Sequence, residues 1–375
     1  MTLPDDVPVP VPGPRGAARP RWWIYRGTGE RLHDTTLGDL LPPPPPWRRF
    51  EGGPVLPPPP DDEAETVRRL GVGNPVRAFS EFARREAEMV NAALLLRRPL
   101  LVSGRPGTGK SSLAYRISRE LRLGRVLRWH ITSRSTLQRG LYEYDAIGRV
   151  QDTAALRAAA GDTPSDGHED RTSPPGVGDY IQLGPLGTAL LPYGEPRVLL
   201  IDELDKSDLD LANDLLSVFE EGSFTIPELL RARRRHPSVK VLTDDSEGEA
   251  EITGGTVACN AFPIVIMTSN SEREFPPAFL RRCLLLTMPE PDERDLADML
   301  TAHFGIEAAE QWGGPLISRF LERSRERGGL SIDQLLNSLY LATSHRSGGQ
   351  DGDGLDLAEA LWHRLDGSGP GTRPG

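Results

Sequence analysis

Short apolar runs alternate with amphipathic stretches from about residue 74 to residue 290. Residues 80–96 and 111–123 repeat apolar side chains at intervals of three and four, which predicts two helices. The apolar runs between the helical stretches predict strands, because a strand covered by helices on both sides has no polar face. The alternation predicts an α/β fold with a parallel sheet. The strand runs are RPLLVSG, RVLRWHIT, RVLLIDEL, FPIVIMTSN and CLLLTMP.

The first 73 residues have a different pattern. Sixteen of the 35 prolines fall within the first sixty residues, and proline favours extended segments without regular backbone hydrogen bonds. We therefore expect residues 1–73 to form a disordered or extended Pro-rich arm. Trp22, Trp23, Ile24 and Tyr25 interrupt it, and this aromatic motif is expected either to dock on a partner or on the body of the chain, or to be a local accident.

Two interruptions and a helical end complete the organisation. Residues of about 151–180 are small, polar and rich in Gly and Pro, which predicts a flexible surface insertion. Residues of about 223–260 have the pattern of short strands and turns, and hairpins are expected there. Helical periodicity then predicts a small all-α domain over residues 291–366, after the α/β domain of residues 74–290. Residues 367–375 are expected to be a disordered tail.

Composition limits the classes of function. The chain has 375 residues, of which 37% are hydrophobic, so it can bury a substantial core. Its formal net charge of −10 argues against indiscriminate binding to nucleic acid. Cys259 and Cys283 lie in no metal-ligand spacing, which predicts free thiols in a reducing compartment. With neither a membrane-length apolar run nor a secretory leader, we expect a soluble, cytoplasmic protein without a membrane partner.

The sequence VSGRPGTGKSS at residues 102–112 fits the pattern G-x-x-x-x-G-K-[ST]. It follows a predicted strand and opens a predicted helix, which is the context that a phosphate-binding loop requires. Glycines let successive backbone N–H groups point at phosphate oxygens, and the lysine reaches the β- and γ-phosphates. The serine hydroxyl after the lysine is a candidate Mg²⁺ ligand. The candidate nucleotide-binding residues are Gly104, Arg105, Pro106, Gly107, Thr108, Gly109, Lys110, Ser111 and Ser112.

Two acidic residues end the apolar run RVLLIDEL. Asp202 and Glu203 fall at the carboxyl end of a predicted buried strand, where open α/β sheets bind ligands. Asp202 is a candidate metal residue together with Ser111, directly or through water. Glu203 is a candidate catalytic residue that orients or deprotonates the attacking water. Asn270 ends the run IVIMTSN and is the candidate that helps to hold that water, if its strand lies between the strands carrying the other two motifs.

These motifs, in this order, resemble those of the AAA+ ATPases. The segments YIQLGPL and DLLSVFEEG narrow the resemblance to the MoxR-like branch, over about residues 74–365. The resemblance implies a five-stranded sheet ordered 5-1-4-3-2, a helical lid and a homo-oligomeric ring that is commonly hexameric. It also implies ATP and Mg²⁺ as cofactors, and the N-K-x-D pattern of guanine recognition does not occur in the expected region.

The resemblance gives a role to the pair Arg281 and Arg282 in the sequence FLRRC. In AAA+ rings, an arginine at this position reaches the γ-phosphate of the next subunit. Arg282 aligns best with that catalytic finger, and Arg281 is the neighbour that shares the work. The lid departs from the MoxR-like pattern at one point. Ile332 and Asp333 occupy the positions of the Pro-Arg pair that supplies a sensor arginine in the family. Either another arginine such as Arg327 substitutes, or the lid does not contact the γ-phosphate.

The leading hypothesis is a Mg²⁺-dependent ATPase that assembles as a ring and remodels or activates a protein partner. The MoxR-like resemblance implies a partner with a von Willebrand factor A domain. A nucleotide-gated signalling or scaffold module with little turnover is the second hypothesis. A nucleic-acid-directed motor of a defence system is the third, and the acidic charge argues against it.

Overall fold

The computed structural model describes residue 20, residues 22–59, 62–71, 80–161, 175–309, 313–327 and 330–344, and residue 362. Regular elements occupy most of the body, and the elements are numbered in chain order. The strands are β1 (Leu100–Ser103), β2 (Leu127–His130), β3 (Tyr142–Tyr144), β4 (Ile181–Leu183), β5 (Val198–Asp202), β6 (Ser223–Thr225), β7 (Ser238–Leu242), β8 (Glu249–Thr253), β9 (Thr256–Ala258), β10 (Ile264–Ser269) and β11 (Leu284–Thr287). The α-helices are α1 (Leu37–Leu40), α2 (Glu63–Leu70), α3 (Glu81–Leu96), α4 (Ser112–Leu121), α5 (Leu137–Leu141), α6 (Ala146–Gly161), α7 (Pro185–Ala189), α8 (Leu209–Glu221), α9 (Pro227–Ala232), α10 (Pro277–Leu280), α11 (Glu293–Phe304), α12 (Ile306–Ala308), α13 (Gly314–Arg327) and α14 (Ile332–Ser344).

A parallel five-stranded sheet forms the centre of the molecule. Its order is β11-β1-β10-β5-β2, and every neighbouring pair is parallel. Numbered by the five predicted strands alone, this order is 5-1-4-3-2, so the predicted fold class and sheet order are confirmed. The carboxyl ends of β1, β10 and β5 lie side by side, because Ser103 pairs with Ser269 and Ile201 pairs with Met267.

Side chains alternate between two hydrophobic layers on the two faces of this sheet. Along β5, Leu199 and Ile201 join the layer formed with α5, α7 and α8, whereas Val198 and Leu200 join the layer formed with α3 and α4. All five β5 residues are buried, which explains their continuous apolar run. The sheet is therefore covered on both faces, and its carboxyl edge is the open side on which polar groups collect.

The Pro-rich arm contributes to one of these layers. Trp23, Ile24 and Tyr25 are buried in the same core as α3 and α4. The prediction of disorder is therefore wrong for residues 22–59, although long parts of this segment are extended, as expected from its prolines. Of the alternatives for the aromatic motif, the structure shows docking on the chain's own body. Residues 1–19 lie outside the described residues.

Two buried polar side chains hold the arm in place. The Asn91 amide accepts hydrogen bonds from the N–H groups of Ile24 (2.6 Å) and Tyr25 (3.0 Å), and it donates to the Tyr25 carbonyl (2.6 Å). The Glu120 carboxylate accepts the backbone N–H groups of the loop that follows, including Gly27 (3.1 Å) and Gly29 (2.9 Å). Backbone groups of the arm thereby gain partners that a helix or a sheet would otherwise supply.

The two predicted interruptions have regular structure. Residues 146–161 form α6, so the first part of the expected flexible insertion is helical, and residues 162–174 lie outside the described residues. In the second interruption, β7 and β8 pair as an antiparallel hairpin, which confirms the expectation of hairpins. A buried ion pair secures the end of this hairpin, because Arg197, with 1% of its surface exposed, binds both oxygens of Asp245 at 2.8 Å.

The helices after β11 form a separate small core. It contains Leu296, Leu300, Phe320 and Leu335, and Trp362 is buried with them and donates a 2.8 Å hydrogen bond to Ser338. Residues 345–361 and 363–375 lie outside the described residues, so the predicted end of the all-α domain at residue 366 stays a prediction. No helix in the described part of the chain combines the length and apolar character that crossing a membrane requires.

Candidate nucleotide-binding site

The glycine-rich loop connects β1 to α4 at the carboxyl edge of the sheet. Gly104, Gly107 and Gly109 have φ angles of 151°, 78° and 80°, which side-chain-bearing residues rarely adopt. A Cβ atom built on Gly109 would meet nothing within 4 Å, so the loop encloses open space at that point. This backbone conformation explains why the sequence places glycine at these positions, and it exposes loop N–H groups at the start of α4.

Lys110 folds back over the loop. Its Nζ donates hydrogen bonds to the carbonyls of Gly104 (2.8 Å) and Arg105 (2.7 Å), and only 7% of the residue is exposed. Burial lowers the pKa of Lys110, and the charges of Asp205, Asp202 and Glu203 partly offset that effect. The ammonium is thus held beside the loop by neutral carbonyls, which phosphate oxygens can replace as partners.

Ser111 and Asp202, the two predicted metal residues, are in contact. Ser111 Oγ donates a 2.6 Å hydrogen bond to Asp202 Oδ1, which also accepts from Thr268 Oγ1 at 2.8 Å. Arg128 on β2 reaches the other carboxylate oxygen at 2.7 Å. Burial alone would raise the pKa of Asp202, but the hydrogen bonds from Ser111, Arg128 and Thr268 hold it below its usual range. Asp202 is consequently an anion at neutral pH.

Glu203 has a strained backbone that turns its side chain away from the buried strand. Its φ of 62° lies in the left-handed region, and its N–H donates a 2.8 Å hydrogen bond to Thr268 Oγ1. Its carboxylate accepts from Lys206 Nζ at 2.7 Å, and His130 Nε2 lies 3.8 Å from the same oxygen. The side chain is 27% exposed. The carboxylate thus lies at the open carboxyl edge, next to Asp202.

Asn270 follows β10, and β10 lies between β1 and β5 as the candidate role requires. The N–H groups of Asn270 and Glu272 both donate to Asp205 Oδ2, at 2.9 and 3.1 Å. The buried Asp205 carboxylate therefore fixes the loop after β10 relative to the loop after β5. The structure brings the glycine-rich loop, the Asp202–Glu203 pair and Asn270 to one edge of the sheet.

Arg281 and Arg282 are not part of this edge. Leu284, two residues after Arg282, pairs with Leu100 at the start of β1, so both arginines lie at the amino edge of the sheet. Arg282 is partly exposed, forms an ion pair with Glu220 at the end of α8, and donates to the Ala278 carbonyl at 3.2 Å. Arg281 is exposed. Neither arginine can contact a nucleotide in the loop of the same copy, because the sheet separates the two edges.

The lid meets the tip of the loop. A Cβ atom on Gly107 would lie 2.9 Å from Ser331 Cα and 3.0 Å from Ile332 N, so α14 begins against the loop. Ile332 is buried and Asp333 is exposed at the two positions where the resemblance places Pro and Arg. The start of α14 thus presents no arginine to the loop, and the alternative with the Arg327 side chain falls outside what the structure describes.

Thr268 and Arg128 are site residues that the sequence reasoning did not single out. Both lie inside strands whose other residues are mostly apolar, and that polar interruption is the signal that would find them. Thr268 connects Asp202 to the backbone of Glu203, while Arg128 balances the charge of Asp202. Position along the sequence does not reveal these contacts, because they join β2, β5 and β10.

The residues fit a nucleotide with its magnesium ion. Mg²⁺ prefers hard oxygen ligands such as a hydroxyl and a carboxylate, and the Ser111–Asp202 pair presents both at the end of the phosphate-type loop. The loop supplies positive-φ glycines, a helix start and a lysine, which are the groups that phosphates need. Within the described residues, no cluster of His, Cys, Asp and Glu forms a separate metal site.

Comparison with protein families agrees with this geometry. Residues 99–283 match the family model described as AAA domain (dynein-related subfamily). The matched segment runs from the residue before β1 to the residue before β11, so it contains four of the five strands of the sheet. No curated protein matches the chain. The sheet order and the glycine-rich loop are consistent with the AAA domain that this match indicates over residues 99–283, and the match supports an AAA+ ATPase.

Proposed function

We propose that this protein is a Mg²⁺-dependent ATPase of the MoxR-like type that assembles into a homo-oligomeric ring and acts on a protein partner. The observation that carries the proposal is the contact of Ser111 with Asp202, with Glu203 partly exposed beside it at the same sheet edge. This arrangement supplies phosphate binding, metal binding and a general base within one site. A ring that is hexameric and a client with a von Willebrand factor A domain are parts of the proposal that rest on the resemblance. The cytoplasmic location, also proposed, rests on the two free cysteines.

Each site residue has a defined task in this proposal. Loop N–H groups and Lys110 bind the β- and γ-phosphates, and Ser111 and Asp202 hold the magnesium ion. The ion, when bound, neutralises charge on the phosphate oxygens. Glu203 accepts a hydrogen bond from the attacking water and receives its proton, and Asn270 helps to orient that water. Lys206 pairs with one oxygen of Glu203, which leaves the other carboxylate oxygen to serve as the base.

The position of Arg282 supports assembly. An arginine finger stabilises the charge that develops during phosphoryl transfer, and removing one reduces turnover by about 10³–10⁵-fold. Arg282 lies at the amino edge of the sheet, on the side opposite to the nucleotide site of its own copy. In this proposal it acts on the nucleotide of a neighbouring copy, with Arg281 beside it.

The test compares ATP turnover of the wild type and Glu203→Gln. The variant is expected to bind ATP with the wild-type affinity and to lose at least about 99% of turnover, because general-base catalysis contributes typically 10²–10⁴-fold. Glu307→Gln, which changes an exposed carboxylate on α12, outside the loops after β5 and β10, is the matched control and is expected to turn over normally. A wild type as inactive as Glu203→Gln contradicts the enzymatic proposal.

A nucleotide-gated switch with little turnover is the second candidate. The specific observation in its favour is that α14 begins against Gly107 with Ile332 and Asp333, without an arginine at that point. The lid then detects the presence of a nucleotide without assisting hydrolysis. Sedimentation with ATP, ADP and no nucleotide separates the candidates, because assembly without turnover supports the switch.

A further inference from the structure

A cleft opens at the amino edge of the sheet, beside Arg282. Its volume is about 310 Å³. The arm forms one wall, α8 forms another, and the residues that precede β1 form the floor. The lining residues include Trp47, Arg48, Arg98, Leu216, Glu220 and Arg282. The arm therefore shares a surface with the residue that the proposed function uses as a finger.

Trp47 is 75% exposed, although the residues that follow it are held against the body. The next residue, Arg48, is buried and donates hydrogen bonds to the Phe219 carbonyl (2.8 Å) and the Arg97 carbonyl (2.6 Å). Phe50 stacks on Phe262 with 5.5 Å between ring centroids. These contacts hold the segment directly after Trp47 on the body, whereas Trp47 itself remains exposed to water. An exposed Trp beside an Arg has the composition of a binding hot spot.

Charge distinguishes this cleft from the nucleotide-binding edge. Three arginines and one glutamate line the cleft, which gives it an excess of positive charge. Among the side chains that are not buried, the loops after β5 and β10 have the opposite balance, with four carboxylates against two cations before any phosphate is bound. These residues are Glu203, Asp208, Glu272, Glu274, Lys206 and Arg273. The two surfaces are electrostatically complementary.

The two surfaces cannot meet within one copy. Helix α8 begins at the acidic edge, after Asp208, and it ends beside Arg282, at Glu220 and Glu221. Its 13 residues span about 20 Å at 1.5 Å per residue. Complementary surfaces at opposite ends of a molecule match in a head-to-tail contact, which generates a ring when the rotation closes.

We propose that the cleft at Trp47 receives the acidic nucleotide-binding edge of a second copy of this chain, with Trp47 as the apolar anchor. The inference rests on the proposed function for the role of Arg282, and it adds that the Pro-rich arm, which lies outside the matched AAA domain, is part of the subunit interface. Packing of the indole against the neighbour would also exclude water near Arg282, which strengthens its charge interactions.

The experiment measures assembly by analytical ultracentrifugation in the Glu203→Gln background, with ATP and Mg²⁺ present. Trp47→Ala is expected to raise the protein concentration for half-assembly at least tenfold, because truncation of a hot-spot Trp weakens binding by about 1.4 kcal/mol or more. Binding of a fluorescent ATP analogue to the monomer and the melting temperature are expected to stay at their parental values. Trp22→Ala is the matched control, since Trp22 is 47% exposed on the same arm but does not line the cleft.

Normal assembly of Trp47→Ala overturns the inference, and so does a wild type that stays monomeric with nucleotide. If Trp47→Ala assembles normally but makes residues 1–19 more sensitive to protease, the cleft binds the chain's own start, which also overturns it. Turnover is measured in parallel on chains with Glu203 intact. If assembly depends on Trp47 but the wild type does not hydrolyse ATP, the interface is supported and the enzymatic proposal is rejected. If the wild type hydrolyses ATP but assembly does not depend on Trp47, the enzymatic proposal is supported and the interface is rejected.

Discussion

Ser111 Oγ and Asp202 Oδ1 lie 2.6 Å apart and join two segments that are 91 positions apart in the sequence. The hydroxyl ends the loop after β1, whereas the carboxylate ends β5, and β10 lies between these two strands. Thr268 on β10 completes the contact by binding the same carboxylate oxygen. The candidate metal ligands are therefore positioned by the sheet order, before any ion binds.

Asp202→Asn is expected to weaken Mg²⁺ binding in the presence of ATP at least tenfold and to abolish turnover, because the neutral amide is a poorer ligand for a hard cation. Isothermal titration of the ATP-loaded protein with Mg²⁺ measures the affinity. Asp208→Asn, an exposed carboxylate whose side chain caps no helix N–H, is the control and should keep the wild-type Mg²⁺ affinity. Unchanged Mg²⁺ affinity in Asp202→Asn removes Asp202 from the metal site.

Arg282→Ala is expected to lose at least about 10³-fold in turnover while its monomer binds ATP normally, because the finger acts only on a neighbour. Mixing it with Lys110→Ala, which retains Arg282 but binds phosphate poorly, should restore part of the activity at mixed interfaces. Coupled ATPase assays across mixing ratios measure this complementation. Activity that only falls in proportion to dilution shows that Arg282 does not act between copies.

Arg197→Met is expected to lower the free energy of unfolding by about 3–5 kcal/mol, because it leaves the buried Asp245 carboxylate without its bidentate partner. Urea unfolding at pH 7 measures the change. Arg139→Met breaks an exposed pair with Glu143 in which both side chains are 66% exposed, so this control should cost less than about 1 kcal/mol. Equal losses in both variants contradict the importance of burial.

Acid should weaken the wild type through Asp245. Burial would raise the pKa of this carboxyl, but the hydrogen bonds and charge of Arg197, followed by those of Arg125, hold it below its usual range. Its contribution to stability is therefore fully present above the unfolded pKa, near 3.9, and is lost as the pH falls through the lower folded pKa. Unfolding free energies from pH 6 to pH 2 should show this loss in wild type, and Arg197→Met should show much less of it.

Asn91→Ala is expected to destabilise the docked arm by about 2–4 kcal/mol, because it leaves buried backbone groups of Ile24 and Tyr25 without partners. Limited trypsin digestion, which cuts after Arg26 and Arg31 once the arm detaches, reports the effect. Asn213→Ala on the exposed side of α8 is the control. Equal protection of the arm in both variants shows that Asn91 does not hold it.

Sequence patterns predicted the sheet order and the edge of the site, because the five apolar runs and the motifs at their ends depend on local order along the chain. Side-chain contacts between neighbouring strands could not be predicted from these sequence patterns. Thr268 and Arg128 bind Asp202 only because β10 and β2 are its neighbours in the sheet. The ordered arm was also missed, since its proline content predicts extended backbone but does not reveal that Asn91 and Glu120 satisfy that backbone from the body.

The hydrogen bonds between the Glu120 carboxylate and the backbone N–H groups of residues 26–29 imply that an independently folding protein must include these arm residues. A chain cut at residue 74, as the motifs alone would advise, lacks Trp23, Ile24 and Tyr25 and uncovers the apolar flank of α3 and α4 on which they pack. It also leaves the Glu120 carboxylate buried without the N–H groups that bind it. Expression of the AAA domain for biochemical work should therefore begin no later than residue 20, or the recombinant product will aggregate through that exposed flank.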